Sequence, residues 1–240
     1  MKHSLRFGVL VILIALLLSA CGAGGARGGE HQQAKGRSLP EYGQAALPAG
    51  RYHTTEFKPS LSFRIKGDDW RFEGPTGALG DPEHPDYLFF QIVPEGEIGF
   101  FNLRKVKGVY KPRGPAGAMD QVSAPDELVG WFQSHPYLKT SEPEPATVGG
   151  VKGVQFDVVL ANLPRHHEGI CDNTTHCLDI IALSTGGSSE VYYTKRARFI
   201  LLKDVKGVPV AIYYTDEKGE FDEFVPVAEK VLQSVEWTDP

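Results

Sequence analysis

The chain has little long-range apolar sequence. Phe7 to Ala20 is its one extended apolar stretch, and its 14 residues fall short of the roughly 20 that a transmembrane helix needs, which excludes a polytopic membrane protein. Basic charge is also in deficit. The formal charge is −5, and beyond the first 20 residues 23 Lys and Arg face 30 Asp and Glu, so a nucleic-acid partner is not expected. Several chemical motifs are absent. The sequence has no GxxxxGK[ST], no GxGxxG after a strand, no HExxH and no Dx[DN]x[DN]G loop, which leaves phosphate-cradling, dinucleotide, zincin and EF-hand chemistry without support. No cofactor is expected. Apolar material itself is not short: 41% hydrophobic, 10% aromatic and 23% charged residues in 240 suffice for a globular core and exclude disorder throughout, collagen and coiled coil.

The N-terminus reads as an address. Lys2, His3 and Arg6 precede the nearly continuous aliphatic run Phe7 to Leu17, and small residues Ser19 and Ala20 come next, the three regions of a secretory signal. Leu18-Ser19-Ala20-Cys21 resembles the lipobox of bacterial lipoproteins. The resemblance implies that residues 1–20 are cleaved, that Cys21 carries acyl chains such as palmitate, and that the protein is held to a membrane of the cell envelope outside the cytoplasm. One acyl chain binds membranes only marginally, at about 0.8 kcal/mol per buried CH₂, whereas several anchor firmly. An ordinary signal with an incidental cysteine after it would instead give a freely secreted protein. Residues 21–50, rich in glycine, alanine and polar residues without apolar period, read as a flexible tether, and residues 51–240 as a single domain.

Within that domain Leu61, Phe63 and Ile65 alternate with Ser62 and Arg64, the period of a half-buried strand. Tyr87 to Val93 and Ile98 to Leu103 read as a hairpin, and Val154 to Leu160, Ile180 to Leu183, Phe199 to Leu201 and Val208 to Tyr214 as further strands. Lys206-Gly207 reads as a tight turn, and short connections favour antiparallel pairing. Phe221, Phe224, Val225, Ala228, Val231, Leu232 and Val235 form one helical stripe; Pro226 places the regular start near Asp222 or Glu223. A shorter helix is expected over Asp126 to Ser134, between Pro125 and Pro136. The class expected is α+β, a curved and mostly antiparallel sheet with the C-terminal amphipathic helix and a short second helix packed on it. Phe57-Lys58-Pro59-Ser60-Leu61-Ser62-Phe63, then Trp70 and the ending Lys230-Val231-Leu232-Gln233-Ser234-Val235-Glu236-Trp237, resemble lipid-anchored bacterial members of the PsbP-like superfamily. That resemblance implies a curved antiparallel sheet with helices on both faces. Its motifs are core-forming and carry no activity.

With Cys21 assigned to the anchor, Cys171 and Cys177 are expected to pair as a disulfide outside the reducing cytoplasm. A metal-binding module is the alternative, since His166, His167, Glu168, Cys171, His176 and Cys177 crowd together, although adjacent histidines point apart in extended chain and the spacing matches no closed zinc pattern. Asn173-Thr174-Thr175 matches a glycosylation sequon by chance, and Gly186-Gly187-Ser188-Ser189 lacks the frame of a nucleophile elbow and reads as a hairpin loop. Asp68-Asp69 and the acidic run from Asp216 to Glu223 suit a turn and a helix start better than paired acid–base chemistry. Trp131, His135 and Tyr137 make the candidate binding surface, with core packing the competing role. The function expected is a non-enzymatic binding or accessory module for an unidentified protein or small ligand near the membrane; the alternative is an envelope hydrolase whose active site assembles from distant residues. The disulfide reading makes a specific prediction. Cys171→Ser and Cys177→Ser should each lose about 2 kcal/mol in urea unfolding and the double variant little more, whereas strictly additive losses would contradict pairing.

Overall fold

The computed structural model describes residues 36–40, 45–54, 57–72, 87–92, 96–113, 118–124, 126–163, 177–184 and 188–238. The signal, Cys21, His166, His167, Glu168, Cys171, His176, Gly186 and Gly187 lie outside them, while Ser188 and Ser189, read as loop, open a strand. The strands in chain order begin with β1 (Arg37–Ser38), β2 (Ala45–Leu47), β3 (Gly50–His53), β4 (Leu61–Ile65), β5 (Trp70–Phe72), β6 (Tyr87–Ile92) and β7 (Glu97–Asn102). After β8 (Gly108–Arg113) and β9 (Ala118–Val122) comes helix α1 (Leu128–Ser134), then β10 (Leu138–Thr140), β11 (Glu144–Val148), β12 (Val151–Leu160) and β13 (Cys177–Ala182). The chain ends with β14 (Ser188–Tyr192), β15 (Lys195–Val205), β16 (Val208–Glu217), helix α2 (Phe221–Leu232) and β17 (Glu236–Trp237). Two of these strands, β1 and β2, fall within the stretch read as tether.

The α+β expectation is corrected here. The described residues form a mostly β molecule of three sheets with little helix: a nine-stranded sheet ordered β10-β12-β15-β16-β7-β6-β5-β2 with β11 on β12, and four-stranded sheets β1-β3-β4-β17 and β14-β13-β8-β9. Pairing is antiparallel throughout except between β1 and β3. The strands that turn one curved sheet into three carry weak period-2 signals because they lie at edges or in outer layers. β11 and β9 are edge strands with polar sequences, and Pro112 of β8 sits past the last pair with β13, where no ladder bond is required of it.

The central sheet is covered on both faces, which explains its almost unbroken apolar strands. Val210, Ile212 and Tyr214 of β16, with Ile200 and Leu202 of β15 and Ile98 and Phe100 of β7, face one core, roofed by β4 and by Phe221, Phe224, Ala228, Val231 and Leu232 of α2. Ala211 and Tyr213, with Phe199, Leu201 and Phe101, face a second core under α1 and the β13 sheet. The β15–β16 connection is a two-residue turn in which Lys206 (φ 53°) and Gly207 (φ 84°) are both left-handed, the geometry that matches strand twist. Gly99 stands opposite Tyr213, whose ring would lie 2.1 Å from any added Cβ, so glycine is what lets the tyrosine lie across β7.

Helix α2 begins at Phe221, slightly earlier than the sequence placed it, so Pro226 is its sixth residue and removes one amide past the first turn. Asp222 and Glu223 at its start and Lys230 near its end suit the helix dipole. The stripe is phased as expected, with Val225 partly exposed and Val235 buried just beyond the helix. The two resemblance motifs also meet in space: β17 pairs with β4 through Trp237↔Leu61, and the Trp237 indole N–H donates to the Val148 carbonyl at 3.0 Å. Leu232→Ala should cost about 2–5 kcal/mol in urea unfolding, and a cost near zero would contradict its place in the first core.

Candidate functional site

A cleft of about 640 Å³ opens beside α1. Its floor is apolar: Leu128 and Val129 of the helix, Val154 of β12, and Leu201 and Leu202 of β15. The opening has a cause in strand geometry. From Leu202↔Val210 to Val205↔Val208, β15 advances three residues while β16 advances two, so one extra residue bulges out of β15 at the cleft. Lys203 and Asp204 belong to that bulged segment, and Arg104, Asp126 and Glu127 complete the charged rim. Three of these five groups are engaged within the chain. Asp204 accepts the Gly207 amide at 2.6 Å, and Lys203 lies 3.9 Å from Glu127. The Arg104 guanidinium and the Asp126 carboxylate make no ion pair or hydrogen bond with a described residue.

Trp131, His135 and Tyr137 are brought together, but mainly as core. The His135 ring stands edge-on to Trp131 at 5.1 Å and to Tyr137 at 5.8 Å. Tyr137 is buried, Trp131 partly exposed and His135 only 5% exposed. The His135 Nδ1 accepts the Tyr137 amide at 3.3 Å. Burial pushes the pKa down to about 4, with the Tyr110 backbone opposing the shift. The ring is therefore neutral at pH 7, and Trp131 offers the larger accessible surface of the three.

On the other side of the sheet a charged network ties β12 and β15 to α2. Arg198 Nε donates to Asp157 Oδ1 at 2.6 Å, Arg196 Nε donates to Asp157 Oδ2 at 3.1 Å, and Arg196 Nη1 reaches Asp222 at 3.1 Å. The Arg196 guanidinium also lies 4.8 Å from the centre of the Phe221 ring. Asp157 and Arg198 are register partners across the two strands. Burial pushes the Asp157 carboxyl up, yet the hydrogen bonds from Arg198 and Arg196 outweigh it and hold the pKa below the usual carboxylate range. With every partner accounted for, this is a fastening of α2 to the sheet.

Ser38 and His53, register partners on β1 and β3, approach as a nucleophile and base would, Oγ to Nε2 at 3.2 Å. The His53 Nδ1 is buried and makes no hydrogen bond with a described residue. A catalytic histidine is oriented through Nδ1 by a third group, commonly a carboxylate, and the described residues place none there. The carboxylates singled out in the sequence are also structural: Asp68 accepts the Ala49 amide at 3.1 Å, Asp216 the Glu217 amide at 2.7 Å, and Asp222 pairs with Arg196. Cys177 opens β13 and is 2% exposed. Among the described residues no group of three or more His, Cys, Asp or Glu is placed to hold a metal; the histidines of the metal alternative and Cys171 lie outside those residues.

Sequence reasoning missed the cleft, because Arg104, Asp126 and Lys203 come from three separate segments and no sequence period marks a bulge. The Asp157 network did leave a signal: Arg196 and Arg198 share one strand face at i, i+2, and Asp157 sits on the face of its strand opposite Val154, Phe156 and Val158.

No protein-family model matches the chain, and no curated protein does. Among solved structures the chain is similar to LpqN, involved in cell envelope biogenesis of Mycobacterium tuberculosis, with a TM-score of 0.31 and 9% identity over 80% of this chain and 89% of that one. A likeness at that level carries no argument about site or activity.

Asp157→Asn should destabilise by about 2 kcal/mol at pH 7, because it leaves two arginines without their shared anion; an unchanged denaturation midpoint would contradict the fastening role. His135 has a lower pKa folded than unfolded, so its contribution is complete above the unfolded value of 6.5 and is lost as pH falls toward about 4. His135→Leu should flatten the stability-against-pH curve across that window, and a curve as steep as that of the unsubstituted protein would contradict a buried neutral ring.

Proposed function

We propose that this chain is a lipid-anchored protein of the bacterial cell envelope, acting as a non-enzymatic binding or accessory module for a protein or small ligand near the membrane surface. The observation that carries the reading is the order Lys2 to Arg6, Phe7 to Leu17, then Leu18-Ser19-Ala20-Cys21. An exported chain with an acylated first residue is held at the membrane, and its folded part works within reach of that surface. The compact β molecule suits such a role, since its largest side chains are spent on two cores and its cleft has the size of a small-molecule site. Residues 51–240 form the working domain in this reading, joined by the short strands β1 and β2. The Cys171–Cys177 pair belongs to the same proposal: burial of Cys177 at the start of β13 suits a disulfide that pins the excursion between β12 and β13. For the alternative, a hydrolase with an active site assembled from distant residues, the described residues offer Ser38 beside His53 without a group to orient the ring through Nδ1.

The test is Cys21→Ser with fractionation of the producing cells. The substituted chain should leave the membrane fraction and lose its acyl mass. Retention in the membrane with the acyl mass absent from both forms would contradict the anchor.

A further inference from the structure

We propose that the cleft beside α1 binds a single small zwitterionic amphiphile, with an apolar tail on the floor and a head whose anion meets Arg104 and whose cation meets Asp126. The inference rests on the binding reading above and gives it a ligand class. Three observations carry it. The first is size and lining: about 640 Å³ lies within the range of small-molecule sites, and the floor of Leu128, Val154 and Leu201 is apolar as such sites are. The second is the bulge in β15. Bulges concentrate where a strand must re-aim side chains at a site, and this one brings Lys203 and Asp204 to the rim of the cleft.

The third is the state of the rim charges. Lys203 and Glu127 lie against each other, and Asp204 is occupied by the turn amide of Gly207. Arg104, from the segment after β7, and Asp126, from the segment before α1, line the same cleft but pair neither with each other nor with any other described residue. A cation and an anion held apart over an apolar floor are complementary to a ligand carrying both charges. A purely anionic ligand would meet Asp126 unfavourably, and a purely cationic one would meet Arg104 in the same way. Both side chains are exposed, so neither is needed for the fold.

The experiment is photoaffinity labelling of the full-length protein in whichever cell fraction holds it, using a short-chain phosphocholine bearing a diazirine in its tail, at a concentration below micelle formation. Peptides containing the floor residues Leu128, Val154 and Leu201 should be labelled saturably. Unlabelled phosphocholine amphiphile should compete about tenfold better than the matching alkyl phosphate, alkyl trimethylammonium or alkanol. Arg104→Gln and Asp126→Asn should each lower saturable labelling about tenfold, as expected for loss of one charge-assisted contact. Equal competition by the alkanol, or labelling unchanged in both variants, would overturn the zwitterion while leaving a cleft that binds apolar molecules, so the binding reading would stand. Saturable labelling elsewhere and none in the cleft would overturn this site alone. No saturable labelling anywhere would overturn the inference, and the anchor would still be decided separately by Cys21→Ser.

Discussion

The burial of the β15–β16 hairpin on both faces is the constraint on which the rest of the structure depends. Seven consecutive residues of β16, Val210 to Asp216, are buried, and from Val210 to Tyr214 their side chains alternate between two cores. A strand with both faces apolar must be covered twice, since each large side chain left in water forfeits about 1.5–3 kcal/mol. One cover is the β4 sheet with α2, and the other is the β13 sheet with α1. The turn at Lys206-Gly207 sets the hairpin register, and the Asp157, Arg196 and Arg198 network ties the start of α2 to strands β12 and β15.

That arrangement also explains where function has room. The centre of the sheet is filled by side chains such as Phe199, Tyr213 and Tyr214, and the titratable groups near it are either fully engaged, as Asp157 is, or held neutral, as His135 is. Accessible chemistry is displaced to the end of the sheet, where the β15 bulge interrupts the ladder and α1 covers it incompletely. The cleft is the place where the second core reaches the surface.

Much of this was legible in the sequence where one residue pattern had one structural meaning. The stripe from Phe221 to Val235, the alternation at Leu61 to Ile65 and the Lys206-Gly207 turn each appear close to where the pattern put them. The class was misread because period-2 alternation reports strands covered on one face only. Gly108–Arg113 and Glu144–Val148 contain proline and charge, and they become strands through their partners and not through their own pattern. Trp131, His135 and Tyr137 were found as a cluster, and burial assigns two of them to the core. Arg104 and Asp126 were out of reach, since only the fold brings them to one cleft.

The central claim is that the two covers stand on the β15–β16 hairpin, and native-state hydrogen exchange tests it most directly. The amides of Ile200 to Leu202 and Val210 to Tyr214 should exchange only through global unfolding, with an opening free energy equal to that from denaturant titration. Exchange of those amides at a lower free energy than the amides of β4 or β13 would mean that the covers hold without the hairpin, and the account would be wrong.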